Sequence, residues 1–280
     1  MILIIGSKGT LGSEFMRQLG DKAIGWDFDE IDITKESEMQ KIINLRPSLI
    51  INCAAYNAVD KAEEEQEMAM QINGHAVGLL SKTAKQLNIP IVHYSTDFVF
   101  DGTSNKGYKE DDTPNPQSVY AHSKYLGEQL LQKENDKFYI IRLTGLFGES
   151  GGGKKSFPEA RIEDSKIRNE FTIVCDEFTS PTYAPDLVKR TLYIINNSLP
   201  FGIYHGNNSG VCSWYKYTCQ IFEIAGIKTK VIPVFGDELK RSAKRPSRAV
   251  LLNTKLPPAR YYEEALNEFL QKHGFINHNS

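Results

Sequence analysis

Tyr120 and Lys124 stand four residues apart in the stretch YAHSK, directly after the turn-forming run DDTPNPQS. On a helix, positions four apart share a face. A phenol has a pKa of about 10 and exchanges protons poorly at neutral pH, but a nearby ammonium favours the phenolate and lowers that value. The pair therefore has the chemistry of a tyrosine acid with a lysine modifier. An exposed surface pair has the same spacing, so position must decide between the two readings. Thr96 directly follows the apolar run PIVHYS. Its hydroxyl suits hydrogen bonding to a substrate carbonyl and steadying the tyrosine.

A second chemistry lies at the start of the chain. The segment GSKGTLG places Gly6, Gly9 and Gly12 between an apolar run and an amphipathic one. Gly6 permits a tight turn, Gly9 lets backbone approach a pyrophosphate, and Gly12 lets a helix pack on a sheet. The helix start then offers unpaired N–H groups and a positive dipole end. Asp27 ends the next apolar run, where a carboxylate accepts hydrogen bonds from ribose hydroxyls and repels a 2′-phosphate. Lys8 offsets that by offering a cation to a 2′-phosphate, and Asp32 with Ile33 is placed to border an adenine. NADH is thus favoured over NADPH, with both open.

The elements that must position these residues alternate. Residues 2–5, 22–26, 48–52, 90–95 and 138–142 read as strands, and 10–19, 35–45, 74–87 and 118–134 carry helical periodicity. Near-continuous apolar strands alternating with helices predict an α/β fold, a Rossmann-type doubly wound parallel sheet. Beyond residue 147 the pattern weakens. GESGGGKKS is a loop, 171–174 and 202–206 are expected strands, and 184–196, 213–225 and 261–272 are expected helices. Residues 230–260 look irregular. The expected organisation is a dinucleotide-binding domain over 1–147 with return segments at about 171–206. A smaller lobe over 148–170 and 207–280 would bind substrate.

The chain has 280 residues, a net charge of −2 and a pI of about 6.3. Nothing basic enough for nucleic acid or an anionic membrane surface stands out. No apolar stretch is long enough to span a bilayer, and the opening MILIIGSKG lacks the basic start of a signal peptide. Cys53, Cys175, Cys212 and Cys219 lack metal-ligand spacing and are expected to be reduced thiols of a cytoplasmic protein. His93, His75 and His205 are expected to be satisfied core or edge residues. The acidic run at 63–67 is expected to be a solvated face, and YKYTC at 215–219 core.

The segments GSKGTLG, NCAAYNAVDKAE, YSTDFVFDG, NPQSVYAHSK and RPSRAVLLNT, in this order, resemble the extended short-chain dehydrogenase/reductases over residues 1 to about 270. The likeness is densest in the first half. It implies that Tyr120 is the proton donor, Lys124 its modifier and ribose ligand, and Thr96 the holder of the reacting oxygen. It implies cofactor contacts at Thr10, Leu11, Ala54, Ala55 and Tyr56 besides the residues named above. Asp97 and Phe98 fall beside the substrate, and Arg245 and Arg248 are candidates for its diphosphate, since guanidinium groups bind phosphate bidentately. The implied reaction is NAD(P)H-dependent reduction of the C4 ketone of a nucleotide-linked 4-keto-6-deoxysugar, foremost dTDP-4-dehydrorhamnose. Epimerisation or reduction of another nucleotide sugar, or a non-catalytic regulatory subunit, are the alternatives. Related dehydratases carry Asp-Glu after the threonine; here Phe98 follows Asp97, and a phenyl ring does no acid–base work. Gly145 stands where related reductases carry a tryptophan near the sugar, so that wall of the pocket is expected to differ. Glu14 matches a position where some relatives hold Mg between subunits of a homodimer; a single carboxylate makes no metal site. Thr182 and Tyr183 either border substrate or form a turn with Pro181 and Pro185.

Overall fold

Short runs of Ile, Leu and Val, too apolar to leave either face in water, build the centre of the molecule. The computed structural model describes residues 1–149, 151–153 and 155–276. Strand β1 (Ile2–Ile5) leads into helix α1 (Thr10–Leu19), β2 (Ala23–Trp26), α2 (Met39–Leu45) and β3 (Leu49–Asn52). A helical stretch follows: α3 (Gln66–Met70), one π-helical turn (Gln71–His75) and α4 (Ala76–Gln86). Then come β4 (Ile91–Thr96), α5 (Val119–Glu134) and β5 (Phe138–Leu143). The remainder comprises β6 (Leu146–Phe147), α6 (Phe157–Ser165), β7 (Glu170–Val174), β8 (Phe178–Thr179), β9 (Thr182–Tyr183) and α7 (Ala184–Asn196). Last are β10 (Gly202–His205), β11 (Cys212–Ser213), α8 (Trp214–Ile224), β12 (Lys230–Val234) and α9 (Tyr262–Lys272).

The main sheet has the order β10-β5-β4-β3-β1-β2, and every neighbouring pair is parallel. The strand order reverses at β1, which lies between β2 and β3, so the carboxyl ends there open a crevice for ligand. One face buries Leu11 and Phe15 of α1 with Leu187 and Val188 of α7. The other buries Met39 and Ile42 of α2 with Val77 and Leu80 of α4. Helix α5 lies unusually close to the π-helical turn. A Cβ on Gly127 would come within 2.1 Å of the Asn73 carbonyl, so only glycine permits this approach.

A further core joins Phe147, Tyr183, Tyr217, Tyr262 and Phe269, packed by edge and stacked aromatic contacts. Two expectations are corrected here. The strand at 170–174 does not return to the main sheet; it pairs in parallel with β12, which lies in the stretch expected to be irregular. The physical reason is one-sided cover. Along β7, Glu170 and Thr172 are exposed while Phe171, Ile173 and Val174 are buried, whereas β3 and β4 are buried at every position. Pro233 gives β12 no ladder donor at its place, which suits a two-stranded edge.

Candidate active site

The glycine turn forms because Gly6 takes a φ of +75° and its place leaves no room: a Cβ there would lie 2.7 Å from the Ala54 amide nitrogen. Helix α1 starts after Gly9, which has no side chain to cap the first-turn amides. Those N–H groups lack intrahelical acceptors and face an anion's place. The Asp27 carboxylate is fixed by two backbone donors, the amides of Lys8 and Phe28, each at 2.9 Å. The Lys8 ammonium pairs with Asp29 at the rim. Gly6, Gly9, Asp27, Asp32, Ile33, Ala54 and Ala55 line one cavity of about 300 Å³, joined by Phe28, Ile31 and Asn57. A glycine cradle, uncapped helix amides and an oriented carboxylate fit a dinucleotide. Leu11 gives its side chain to the core, and the Tyr56 hydroxyl bonds Glu65, so neither side chain lines this cavity.

Thr96 ends β4, and α5 brings Tyr120 and Lys124 beneath it. Helix α5 starts at a defined place: Ser118 accepts from the Ala121 amide, and Glu63 accepts from the Val119 amide at 2.9 Å. The acidic run is therefore more than a solvated face. Thr96, Tyr120 and Lys124 are all buried. The Lys124 ammonium donates to the Tyr94 carbonyl at 2.6 Å and lies 3.5 Å from His93 Nε2. Burial pushes Lys124 down to about 8, with Glu128 acting against it. The expected depression of the tyrosine is not found. Burial holds the Tyr120 phenol up at about 12; the Thr96 hydroxyl pulls it down and the Asp97 charge adds to the rise. Burial outweighs the other causes, and the Lys124 ammonium, directed at the Tyr94 carbonyl, is not among them. A phenol held high keeps its proton at neutral pH, as a proton donor must.

His93 is wholly buried, but it also touches the site. The Ala54 amide donates to Asn52 Oδ1 at 3.1 Å, which turns the Asn52 amide N–H toward His93 Nδ1 at 3.2 Å. The imidazole thus lies between the Asn52 amide on one side and the Lys124 ammonium on the other. Burial holds this imidazole neutral, well below its ordinary value.

A second cavity, of about 440 Å³, opens on the other side. Asp97, Phe98, Thr144, Phe157, Glu177, Thr179, Trp214, Arg241 and Arg245 contribute to it. Phe98 meets the Tyr120 ring edge-on, 5.7 Å between centroids, so an apolar ring adjoins the proton donor. The Thr96 hydroxyl donates to Asp97 at 3.1 Å, and Thr144 bonds Thr179 at 2.9 Å. Arg245 holds Asp60 through two bonds, at 2.6 and 3.0 Å. Arg248 is not brought in: its guanidinium lies over the Phe178 ring at 4.8 Å, outside the cavity wall. Arg241, paired with Glu177, is the arginine that sequence reasoning missed; it sits in a segment with no periodicity to place it. Trp214 was missed too. At Gly145, φ is +54°, and a Cβ would lie 3.5 Å from the Trp214 ring. Thr182 and Tyr183 are buried in packing and do not border the cavity. Glu14 accepts from Arg17 and Gln18. Among the described residues no group of three or more His, Cys, Asp or Glu is placed to hold a metal. No helix among them is long and apolar enough to cross a membrane.

Comparison with known proteins gives a consistent result. The family described as RmlD substrate binding domain matches residues 1–274. The spore coat polysaccharide biosynthesis protein SpsK of Bacillus subtilis (strain 168) is 33% identical over 283 residues, 97% of each chain. A dTDP-4-dehydrorhamnose reductase of Clostridium acetobutylicum superimposes with a TM-score of 0.92 at 36% identity, covering 98% of this chain and 99% of the other. One from Bacillus anthracis, solved in complex with NADP, gives 0.92 at 33% identity, covering 97% and 98%.

Proposed function

Because the chain belongs to the RmlD substrate binding domain family, we propose that it is an NAD(P)H-dependent reductase of dTDP-4-dehydrorhamnose, forming dTDP-L-rhamnose. The observation that carries the proposal is the burial of Thr96, Tyr120 and Lys124 together at the end of β4, where Phe98, a wall of the second cavity, meets the Tyr120 ring edge-on. The first cavity takes the dinucleotide and the second takes the sugar nucleotide. On this reading residues 1–147 and the return through α7 and β10 bind cofactor. Residues 148–174 and 207–280 bind substrate, and the enzyme works in the cytoplasm. Both reduced dinucleotides suit the first cavity: Asp27 matches ribose hydroxyls, and Lys8 beside it matches a 2′-phosphate.

The bound nicotinamide supplies the hydride to C4 of the sugar. Thr96 holds the ketone oxygen and Tyr120 gives its proton to that oxygen as negative charge develops. Its high pKa keeps the proton in place until then. Lys124, a cation below about pH 8, stabilises the phenolate left behind and holds the nicotinamide ribose. Phe98 supplies no acid or base, so the site reduces rather than dehydrates.

Loss of reduced-nicotinamide absorbance with dTDP-4-dehydrorhamnose tests the reading, wild type beside Tyr120→Phe. Removing the phenol is expected to lower kcat by about 10²–10⁴-fold. A wild-type protein inert toward this ketone with either cofactor would defeat the assignment. Oxidised cofactor held tightly through purification would redirect it to epimerisation.

A further inference from the structure

Trp214 opens α8, and its place is tightly set. The Ser213 side chain caps the helix by accepting from the Lys216 amide at 3.2 Å, and the Trp214 amide donates to the Glu177 carbonyl at 3.2 Å. The indole lies 4.7 Å from the Phe157 ring, itself stacked on the buried Tyr217. This aromatic backing holds the indole from behind, yet Trp214 remains half-buried, with its free surface in the second cavity. The far edge of the ring reaches the main sheet just past β5. There it lies beside Gly145, whose φ is +54° and where a Cβ would be in ordinary contact with the indole at 3.5 Å.

We infer that Trp214 is a specificity-determining residue: its indole forms the wall against which the apolar face of a 6-deoxyhexose packs. This rests on the reductase reading above. A deoxysugar presents ring C–H groups and a C6 methyl on one side and hydroxyls on the other. The cavity mirrors that division. Phe98, Phe157 and Trp214 offer apolar surface, while Thr144, Thr179 and Asp97 offer polar groups. An aromatic ring fixed by its own packing binds without the cost of ordering a loose side chain.

The chain has two tryptophans, Trp26 and Trp214, so Trp26→Phe leaves Trp214 as the only indole emitter. Titration of that variant with dTDP-4-dehydrorhamnose, without cofactor, is expected to change its fluorescence, and dTDP alone is expected to leave it nearly unchanged. Trp214→Ala is expected to raise KM for the sugar nucleotide about tenfold, the size of one lost aromatic contact, with KM for the cofactor unmoved. Trp214→Phe is expected to restore most of the loss, and it serves if the alanine variant does not fold. Equal responses to dTDP and to the sugar nucleotide, or an unmoved KM in folded Trp214→Ala, would overturn the inference while turnover persisted. A wild type that turns over no sugar nucleotide would remove the reductase reading, and this inference with it.

Discussion

Asp97→Asn is expected to stabilise the protein relative to wild type, increasingly as pH rises above the unfolded chain's carboxyl pKa of about 4. Asp97 opens the short turn after β4 and is 5% exposed. Its partners are the hydroxyls of Thr96 and Thr144 and nearby backbone, with no cation among them. Burial raises the carboxyl from 3.8 to about 7. That displacement corresponds to about 4 kcal/mol of folding free energy at roughly 1.4 kcal/mol per tenfold. The sign follows from proton binding: the folded state holds the proton more tightly than the unfolded chain. The stabilising contribution is complete below about pH 4, falls as pH rises, and is gone above about pH 7. The carboxamide is neutral throughout and loses nothing. Urea unfolding of both proteins from about pH 4.5 to 8.5 measures the difference. The variant's relative stability is expected to grow by up to about 1.4 kcal/mol per pH unit and to level off near pH 7. Any cost of the amide itself is independent of pH, so the slope is the diagnostic. A difference that does not change with pH, or that falls as pH rises, would refute the reasoning.

Two further perturbations probe other parts of the molecule. Glu128 and Arg142 form a bidentate pair, 2.9 and 2.6 Å, with both residues buried. Glu128→Gln leaves Arg142 without its counter-charge and is expected to cost about 3–5 kcal/mol in denaturant unfolding; a cost below about 1 kcal/mol would show the pair to be dispensable. Lys8→Ala removes the cation at the rim of the dinucleotide cavity and is expected to raise KM for NADPH several-fold more than KM for NADH. Equal effects on the two cofactors would show that Lys8 does not read the 2′-phosphate.

The first half of the molecule was legible because its central strands β3 and β4 are buried at every position. Continuous apolar runs such as LIIN and IVHYST admit few other readings, and the glycine turn lies between a strand and a helix. That Thr96, Tyr120 and Lys124 would lie close together was legible because they fall at the end of a buried strand and in the first turns of a helix. The second lobe was less legible: β7 and β12 are half-exposed, and a strand of five residues with Pro233 in it carries little periodicity. Arg241 and Trp214 reach the cavity from elements far apart in sequence, so nothing local marks them. The direction of the Lys124 ammonium, toward the Tyr94 carbonyl, is something that spacing does not tell. The same holds for His93, whose burial was expected but whose direct contacts with Lys124 on α5 and Asn52 on β3 join separate elements.

The position of β10 has a consequence for biosynthesis. Strand β5 pairs with β4 on one side and with β10 on the other, Tyr139 opposite Gly202 through Arg142 opposite His205. Between them the chain leaves through β6, α6, β7, β8 and β9 before α7 brings it back. Until residues 202–205 emerge, β5 is a bare sheet edge of sequence FYIIRL, with its hydrogen-bonding groups unmatched. A ribosome adding about 5–20 residues per second takes several seconds to supply the missing strand. During that interval the nascent chain carries a sticky template for pairing with its neighbours on a polysome. The order of the strands thus makes the middle of synthesis, rather than the finished protein, the stage most exposed to aggregation and most in need of a chaperone.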